Sequence, residues 1–351
     1  MTLRDVLIVG AGPAGLATAI AALKNGLTCQ VIEKGALVNS LLHYPTEMVF
    51  FTTPELMEIG GLPFVSPYDK PTRLEALRYY RRVTDAFKLE VLFDEAVVAI
   101  TRQPGVPDGE GSFVVDTHSG RGVRRSWHGR TVVIATGAYD VPNRLDVPGE
   151  DLPHVSHYYT QPHPFFRKRV VVVGGKNSAA EAALDLFRAG ADVTLVHRQA
   201  ALGDSIKYWV KPDIDNRIKE GSIAARFDTR VVEIRPTSVV VEHAGRTSDI
   251  DADAVFLLTG YRSDATLLRS AGVEMNPDTW GPVYDPETFE TNVPGLYVAG
   301  AVIAGVQSGR IFIENGRFHG QQVIEAIAAR RAAGASRLLI ANPELTGNKP
   351  H

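Results

Sequence analysis

Short continuous apolar runs, each closed by a glycine-bearing turn and followed by an alanine- and leucine-rich stretch, set the pattern of this chain. Val6-Leu7-Ile8-Val9 leads into Gly10-Ala11-Gly12-Pro13-Ala14-Gly15, then a helical stretch over 16–23, then a second run, Cys29-Gln30-Val31-Ile32. Runs so short and so uniformly apolar predict parallel strands buried on both faces, with a helix packed between them. The same unit returns 164 positions later, counted from Gly10 to Gly174: strand 170–173, turn Gly174-Gly175-Lys176-Asn177-Ser178-Ala179, helix 180–189, strand 192–196. Between the copies the spacing predicts a helix over 71–87 with Leu74, Leu77, Tyr80 and Val83 on one face. Strands are expected over 90–100, over 112–117 and ending at 131–135, with 105–111 as an exposed hairpin tip. Segment 38–54 is an irregular excursion that either wraps a flat ring or is a plain surface loop. Ala135-Thr136-Gly137 and Leu258-Thr259-Gly260 end two further apolar strands, and Leu296-Tyr297-Val298 forms a last buried one. A closing helix is expected from 311 to about 328, and the chain after 332 is expected to fray. The fold class is α/β, with two Rossmann-like, three-layer nucleotide-binding domains.

The turns carry the candidate chemistry. Gly10 permits a tight bend, Gly12 lets backbone N–H groups approach a pyrophosphate, and Gly15 lets the helix close on the strand. The phosphates are then left at a helix N-terminus. Glu33 follows the second strand, 23 positions after Gly10, where a carboxylate accepts hydrogen bonds from a ribose and repels a 2′-phosphate. The second copy has His197-Arg198 at that place, and a guanidinium pairs with a 2′-phosphate bidentately. That contrast assigns FAD to the first turn and NADPH to the second. Lys176 stands where the fingerprint has its second glycine; its cation either helps hold the pyrophosphate or points to solvent.

Composition narrows the class. The 351 residues are 44% apolar and 22% charged, ordinary for a globular enzyme of two domains. A net charge of −3 argues against a nucleic-acid or anionic-membrane partner. Met1-Thr2-Leu3-Arg4-Asp5 leads straight into the first strand, and no apolar run approaches the roughly 20 residues of a membrane span; the expected location is the cytoplasm. Cys29 is the single cysteine, so the chain has no internal disulfide, CxxC pair or cysteine-based metal site. At the start of a buried strand its expected role is that of a small inert hydrophobe. No metal is expected.

Two fingerprints, two TG strand ends and a closing Gly-Leu-Tyr-Val-Ala-Gly over 295–300 together resemble the low-molecular-weight thioredoxin reductase-like flavoproteins across nearly the whole chain. The resemblance implies a discontinuous FAD domain of 1–151 and 263–351 interrupted by an NADPH domain of 152–262. It implies flavin contacts from Gly10, Gly12, Pro13, Ala14, Gly15, Glu33, Lys34, Ser40, Val97, Thr136, Gly137, Gly300 and Ala301. For NADPH it implies Gly174, Gly175, Lys176, Asn177, Ser178, Ala179, His197, Arg198, Lys207 and Gly260. It also implies a homodimer and a rotation of the NADPH domain that brings the two rings together.

The departures point to one branch. The CxxC of thioredoxin reductases is replaced by Val155-Ser156-His157-Tyr158-Tyr159-Thr160-Gln161, and the closing Gly-Asp by Gly300-Ala301. With Phe50-Phe51 and Ser205-Ile206-Lys207-Tyr208-Trp209, these resemble the YpdA-type bacillithiol disulfide reductases. Members of that branch often carry a cysteine where this chain has Ala14, so a covalent thiol mechanism is not expected here. His157, Tyr158 and Tyr159 are either proton donors at a flavin-facing surface or packing aromatics at a domain boundary. The expected activity is hydride transfer from NADPH through flavin N5 to a low-molecular-weight disulfide such as bacillithiol disulfide. A ferredoxin, flavodoxin or quinone acceptor, and a flavin-bound redox sensor, are the alternatives.

Overall fold

The computed structural model describes residues 2–103, 112–307 and 309–341, the last eight by backbone alone. The hairpin tip expected over 105–111 lies outside the described residues. The chain divides into two compact units, one built from Met1–Leu42, Thr52–Val141 and Arg262–His351, the other from His43–Phe51 and Pro142–Tyr261.

The first unit is organised by a seven-stranded sheet. Strand Arg4–Val9 pairs in parallel with Cys29–Ile32 on one side and with Arg124–Ile134 on the other. The latter strand is longer than its apolar end at 131–135 suggests. Its polar first half pairs antiparallel with Ser112–Ser119, and its buried second half pairs in parallel with Leu296–Val298. Leu7, Val9, Ile134, Leu296 and Val298 meet in one core. Burying such side chains contributes roughly 1.5–3 kcal/mol each relative to exposure, which explains why these strands lack alternation. Helix Pro13–Lys24 has Pro at its first position and buries Leu16 and Ile20, as a fixed φ and a missing N–H allow there.

The helix expected over 71–87 spans Arg73–Ala86 and starts on a capping box between Thr72 and Glu75. Its buried face is Ala76, Tyr79, Tyr80 and Val83, whereas Leu74 is 47% exposed. This corrects the expected face, and the reason is the tyrosines' polar ends: Tyr79 and Tyr80 donate their hydroxyls to the Leu62 and Met57 carbonyls, so both rings bury. The closing helix is also corrected. A short turn, Ile313–Gly316, is followed by one helix, His319–Ala341, that continues past the expected frayed end at 332.

The second unit holds a five-stranded, all-parallel sheet in the order Ala224–Arg226, Asp192–Val196, Arg169–Val173, Ala254–Leu257, Val155–Ser156. Helix Asn177–Arg188 packs its Ala180, Ala183, Leu184 and Leu186 on this sheet. Elements that the periodicity does not announce here include helix Lys211–Lys219, the edge strands Ala224–Arg226 and Val155–Ser156, and an antiparallel sheet of Thr229–Ile234, Ser238–His243 and Arg246–Asp251. That sheet contributes Val231, Ile234, Val239 and Val241 to a core, and Val240 between the last two is buried as well. Among the described residues no helix is long and apolar enough to cross a membrane, and no three His, Cys, Asp or Glu side chains gather as a metal site.

Candidate functional site

In the first unit the Gly10–Gly15 turn closes on itself tightly. Gly10 has φ +108, and a Cβ there would lie 2.5 Å from the Ala135 carbonyl oxygen; a Cβ on Gly15 would lie 1.9 Å from the Gly10 oxygen. Neither position admits a side chain. Gly12 differs, because its φ of −75 and ψ of 175 suit any residue and a Cβ there would meet nothing within 4 Å. The space it leaves lies at the open end of helix Pro13–Lys24, whose first hydrogen bond runs from Leu16 N–H to Gly12 C=O. The N–H groups of Ala14 and Gly15 precede that bond, and such first-turn amides suit an anion. Glu33 is 6% exposed and accepts the Ala11 N–H at 2.8 Å and the Gly35 N–H at 2.9 Å, one on each carboxylate oxygen. Each oxygen keeps a second lone pair for a ribose hydroxyl. Open space, unpaired helix-end amides and a buried carboxylate fit the adenosine diphosphate half of FAD.

The other residues of the expected flavin set have the following surroundings, some of them in contact with this turn. Val38 N–H donates to the Ala11 carbonyl at 3.1 Å and so brings the Asn39–Leu42 helix, with Ser40, to the turn. Glu95 N–H donates to the Glu33 carbonyl at 3.0 Å, two residues before Val97. A Cβ on Gly10 would lie 3.3 Å from the Thr136 Cα, and Gly137, at φ +76, turns the chain away. Gly300 packs on Ala14 so closely that a Cβ there would sit 2.6 Å from the Ala14 methyl. The Ala301 carbonyl accepts the Ser263 hydroxyl at 3.2 Å. Lys34 is paired with Asp140 at 2.7 Å.

His319 belongs to this arrangement and has no local sequence signal. Its Nδ1 accepts the Gly300 N–H at 3.1 Å, and its ring stacks on Phe289 at 4.5 Å. Burial holds its pKa below the usual histidine value, consistent with a neutral ring that has a lone pair on Nδ1. Cys29, by contrast, is inert as expected: its sulfur lies 3.8 Å from the Ala19 carbonyl, and burial pushes its thiol up to about 11.

In the second unit the turn is as tight at its first position and differs at its third. Gly174 has φ +152, and a Cβ there would lie 2.6 Å from the Leu258 carbonyl oxygen and 2.8 Å from the Ala179 methyl. Lys176 caps helix Asn177–Arg188 with φ −120 and ψ −168, an extended conformation that needs no glycine, and its side chain is exposed. The His197 ring lies flat over Gly175, where a Cβ would be 2.2 Å from Cε1. Burial first, and then the adjacent Arg198 charge, hold the His197 pKa down. Arg198 and Ser178 are exposed, so a guanidinium and a hydroxyl remain available to phosphate groups. Gly260 closes the turn's far side: its carbonyl accepts the Asn143 N–H at 2.9 Å. Asn177 and Lys207 are committed to each other, through Asn177 Oδ1 and the Lys207 backbone N–H at 2.8 Å.

The three candidates near the former CxxC position have different surroundings. Tyr159 is a core residue, 4% exposed, whose hydroxyl donates to Asp185 at 2.5 Å and whose pKa is pushed up by burial. Tyr158 stacks on Tyr261 at 5.4 Å, and the Tyr261 hydroxyl donates to the His157 carbonyl at 2.9 Å. The His157 ring lies against the buried Glu150 carboxylate, with Nε2 3.3 Å from Oε1. That carboxylate also accepts the Leu145 and Asp146 N–H groups.

Comparison with known proteins gives the chain its family and fold. The chain is 40% identical over 331 residues to the bacilliredoxin reductase Bdr of Bacillus subtilis, covering 94% of this chain and 99% of that protein. The solved bacillithiol disulfide reductase Bdr (YpdA) of Bacillus cereus superimposes with a TM-score of 0.89 at 40% identity, covering 94% of this chain and 100% of that one. The thioredoxin reductase of Lactococcus lactis, at 22% identity and a TM-score of 0.73 over 94% of this chain and 99% of that one, shares the fold. The profile of the pyridine nucleotide-disulphide oxidoreductases matches residues 7–300, and with both nucleotide turns in place the chain belongs to that family.

Proposed function

We propose that this chain, an FAD-dependent NADPH oxidoreductase like its relatives, reduces a low-molecular-weight disulfide such as bacillithiol disulfide: RSSR, NADPH and a proton give two RSH and NADP⁺. Bound FAD and NADPH supply the hydride chemistry, for which the protein needs to provide only placement and electrostatics. On the protein side, the helix-end amides at Ala14 and Gly15 and the Glu33 carboxylate bind one nucleotide. Arg198, Ser178 and the amides at the start of Asn177–Arg188 bind the other. The observation that carries the reading is this contrast between an acid and a guanidinium at matching places, on a chain 40% identical to a bacillithiol disulfide reductase.

No thiol of this chain serves the disulfide step, so the two electrons that cleave S–S would come from NADPH through the bound flavin. Its one cysteine is buried with a raised pKa, and Ala14 stands at the helix start. His157, whose Nε2 lies 3.3 Å from the buried Glu150 carboxylate, has both ring nitrogens closed off from solvent, so the proton for the leaving thiolate is not assigned to it. The same reading carries a cytoplasmic homodimer of 38.1 kDa chains, to be checked by light scattering. The deciding experiment is stopped-flow reduction of the flavoprotein by NADPH, then reoxidation by bacillithiol disulfide, by oxidised bacilliredoxin or by ferredoxin. Fast reoxidation by the small disulfide is expected. Reoxidation by ferredoxin alone overturns the substrate, and none at all favours a redox sensor.

A further inference from the structure

Lys207 is 5% exposed, and a buried ammonium is costly unless its donors find acceptors. Its Nζ donates to a Glu181 carboxylate oxygen at 2.5 Å and to the Val49 carbonyl at 2.8 Å, and lies 5.7 Å from the Trp209 ring centre. Glu181 neutralises it, so little of its charge is left for a phosphate. Glu181 and Asn177 stand four residues apart on helix Asn177–Arg188, hence on one face. Asn177 grips the same loop from its other side, through the Lys207 N–H at 2.8 Å and the Ser205 carbonyl at 3.0 Å.

Val49 lies in His43–Phe51, nine residues that packing assigns to the second unit although the chain on either side belongs to the first. Contacts within the second unit hold this segment. Thr46 N–H donates to the Thr160 carbonyl at 2.8 Å, Val49 accepts from Lys207, and Phe51 stacks on Trp209 with centroids 5.7 Å apart. At its start the segment continues directly from the Asn39–Leu42 helix that carries Ser40.

We propose that Lys207 is a positioning residue that couples the second nucleotide turn to segment 43–51. An anion settling on the helix start fixes Asn177 and the first turn; Asn177 and Glu181 then fix the 205–207 loop and its ammonium, and the ammonium holds Val49. The coupling rests on the reading of that turn as the NADPH site.

Hydrogen–deuterium exchange of the flavin-loaded protein, with and without NADP⁺, tests it, with NADP⁺ binding measured in parallel by equilibrium dialysis. In the wild type NADP⁺ is expected to slow exchange over 43–51. Lys207→Met is expected to raise exchange there roughly tenfold or more, as loss of a charged hydrogen bond implies, and to abolish the NADP⁺ effect while NADP⁺ still binds. Lys207→Arg is expected to restore part of the protection. Should Lys207→Met lose its flavin spectrum, Glu181→Gln gives the same readout, and unchanged exchange over 43–51 in that variant overturns the proposal. NADP⁺ binding that leaves 43–51 unchanged in the wild type overturns the coupling alone. Failure of NADP⁺ to bind overturns the site reading and the coupling with it.

Discussion

The two nucleotide turns are one supersecondary unit built with different residues, and the difference separates what the backbone requires from what the ligand requires. In the first, positive φ and contact with neighbouring backbone make Gly10 obligatory, and the 1.9 Å approach to its oxygen makes Gly15 obligatory too. In the second, Gly174 is under the same constraint, with φ +152 and the Leu258 carbonyl oxygen 2.6 Å from where a Cβ would sit, but Ala179 stands in place of the third glycine. The middle position is extended in both, Gly12 at φ −75 and Lys176 at φ −120, so no backbone strain selects glycine there. What Gly12 provides is room for a ligand, and the second turn places a cation at that rim instead. On the function proposed above, the acid of one copy and the guanidinium of the other select which adenine nucleotide each accepts.

The largest expected effect comes from giving the first turn the third residue of the second. Gly15→Ala should cost about 3 kcal/mol or more of stability and release most of the flavin. Ala179→Gly, the reverse change in the second turn, should cost about 1 kcal/mol or less. Thermal melts and the flavin-to-protein absorbance ratio check both, and equal losses would break the comparison. Next, Arg198→Ala should lower kcat/KM for NADPH by roughly ten- to a hundredfold, as loss of a charged hydrogen-bonded pair implies. Turnover with NADH should be left nearly unchanged, and steady-state kinetics with both coenzymes decide it.

A smaller effect follows from His319. Its folded-state pKa lies below the ordinary 6.5 because of burial, so protonation favours the unfolded chain. The stability it contributes is present above pH 6.5 and is lost as the pH falls through its lowered folded-state value. Flavin retention should therefore weaken below pH 6.5 in the wild type and less steeply in His319→Asn, whose amide oxygen also accepts from Gly300. Dialysis at stepped pH reads this, and parallel curves would remove His319 from the account. The smallest effect is expected for Lys176→Gly, within about 1 kcal/mol in stability, because the backbone there already suits any residue.

How far the sequence reveals this molecule depends on whether a signal is local. Strand Cys29–Ile32 and the turn before it are legible because continuous apolarity, glycine spacing and a terminal acid all lie within one βαβ unit. Helix Arg73–Ala86 is legible as a helix but not in its face, since the register is set by tyrosine hydroxyls reaching carbonyls some twenty residues away. The sheet over 229–251 escapes because Arg230, Glu233, Glu242 and Asp249 dilute its apolar pattern. Helix Lys211–Lys219 escapes because Ile214 is its one buried side chain. His319 and the Lys207 clamp are invisible for a stronger reason: Gly300 lies 19 positions away, Glu181 26 and Val49 158, and no periodicity spans such separations.

The claim beneath all of this is that one chain binds two unlike adenine nucleotides at separate turns. It is tested most directly by counting them: extract and quantify the tightly held flavin, then measure NADP⁺ binding to the loaded protein by equilibrium dialysis. One FAD and one NADP⁺ per 38.1 kDa chain, with neither displacing the other, is the predicted result. A colourless protein that takes up no flavin, or NADP⁺ and FAD competing for a single site, would contradict it.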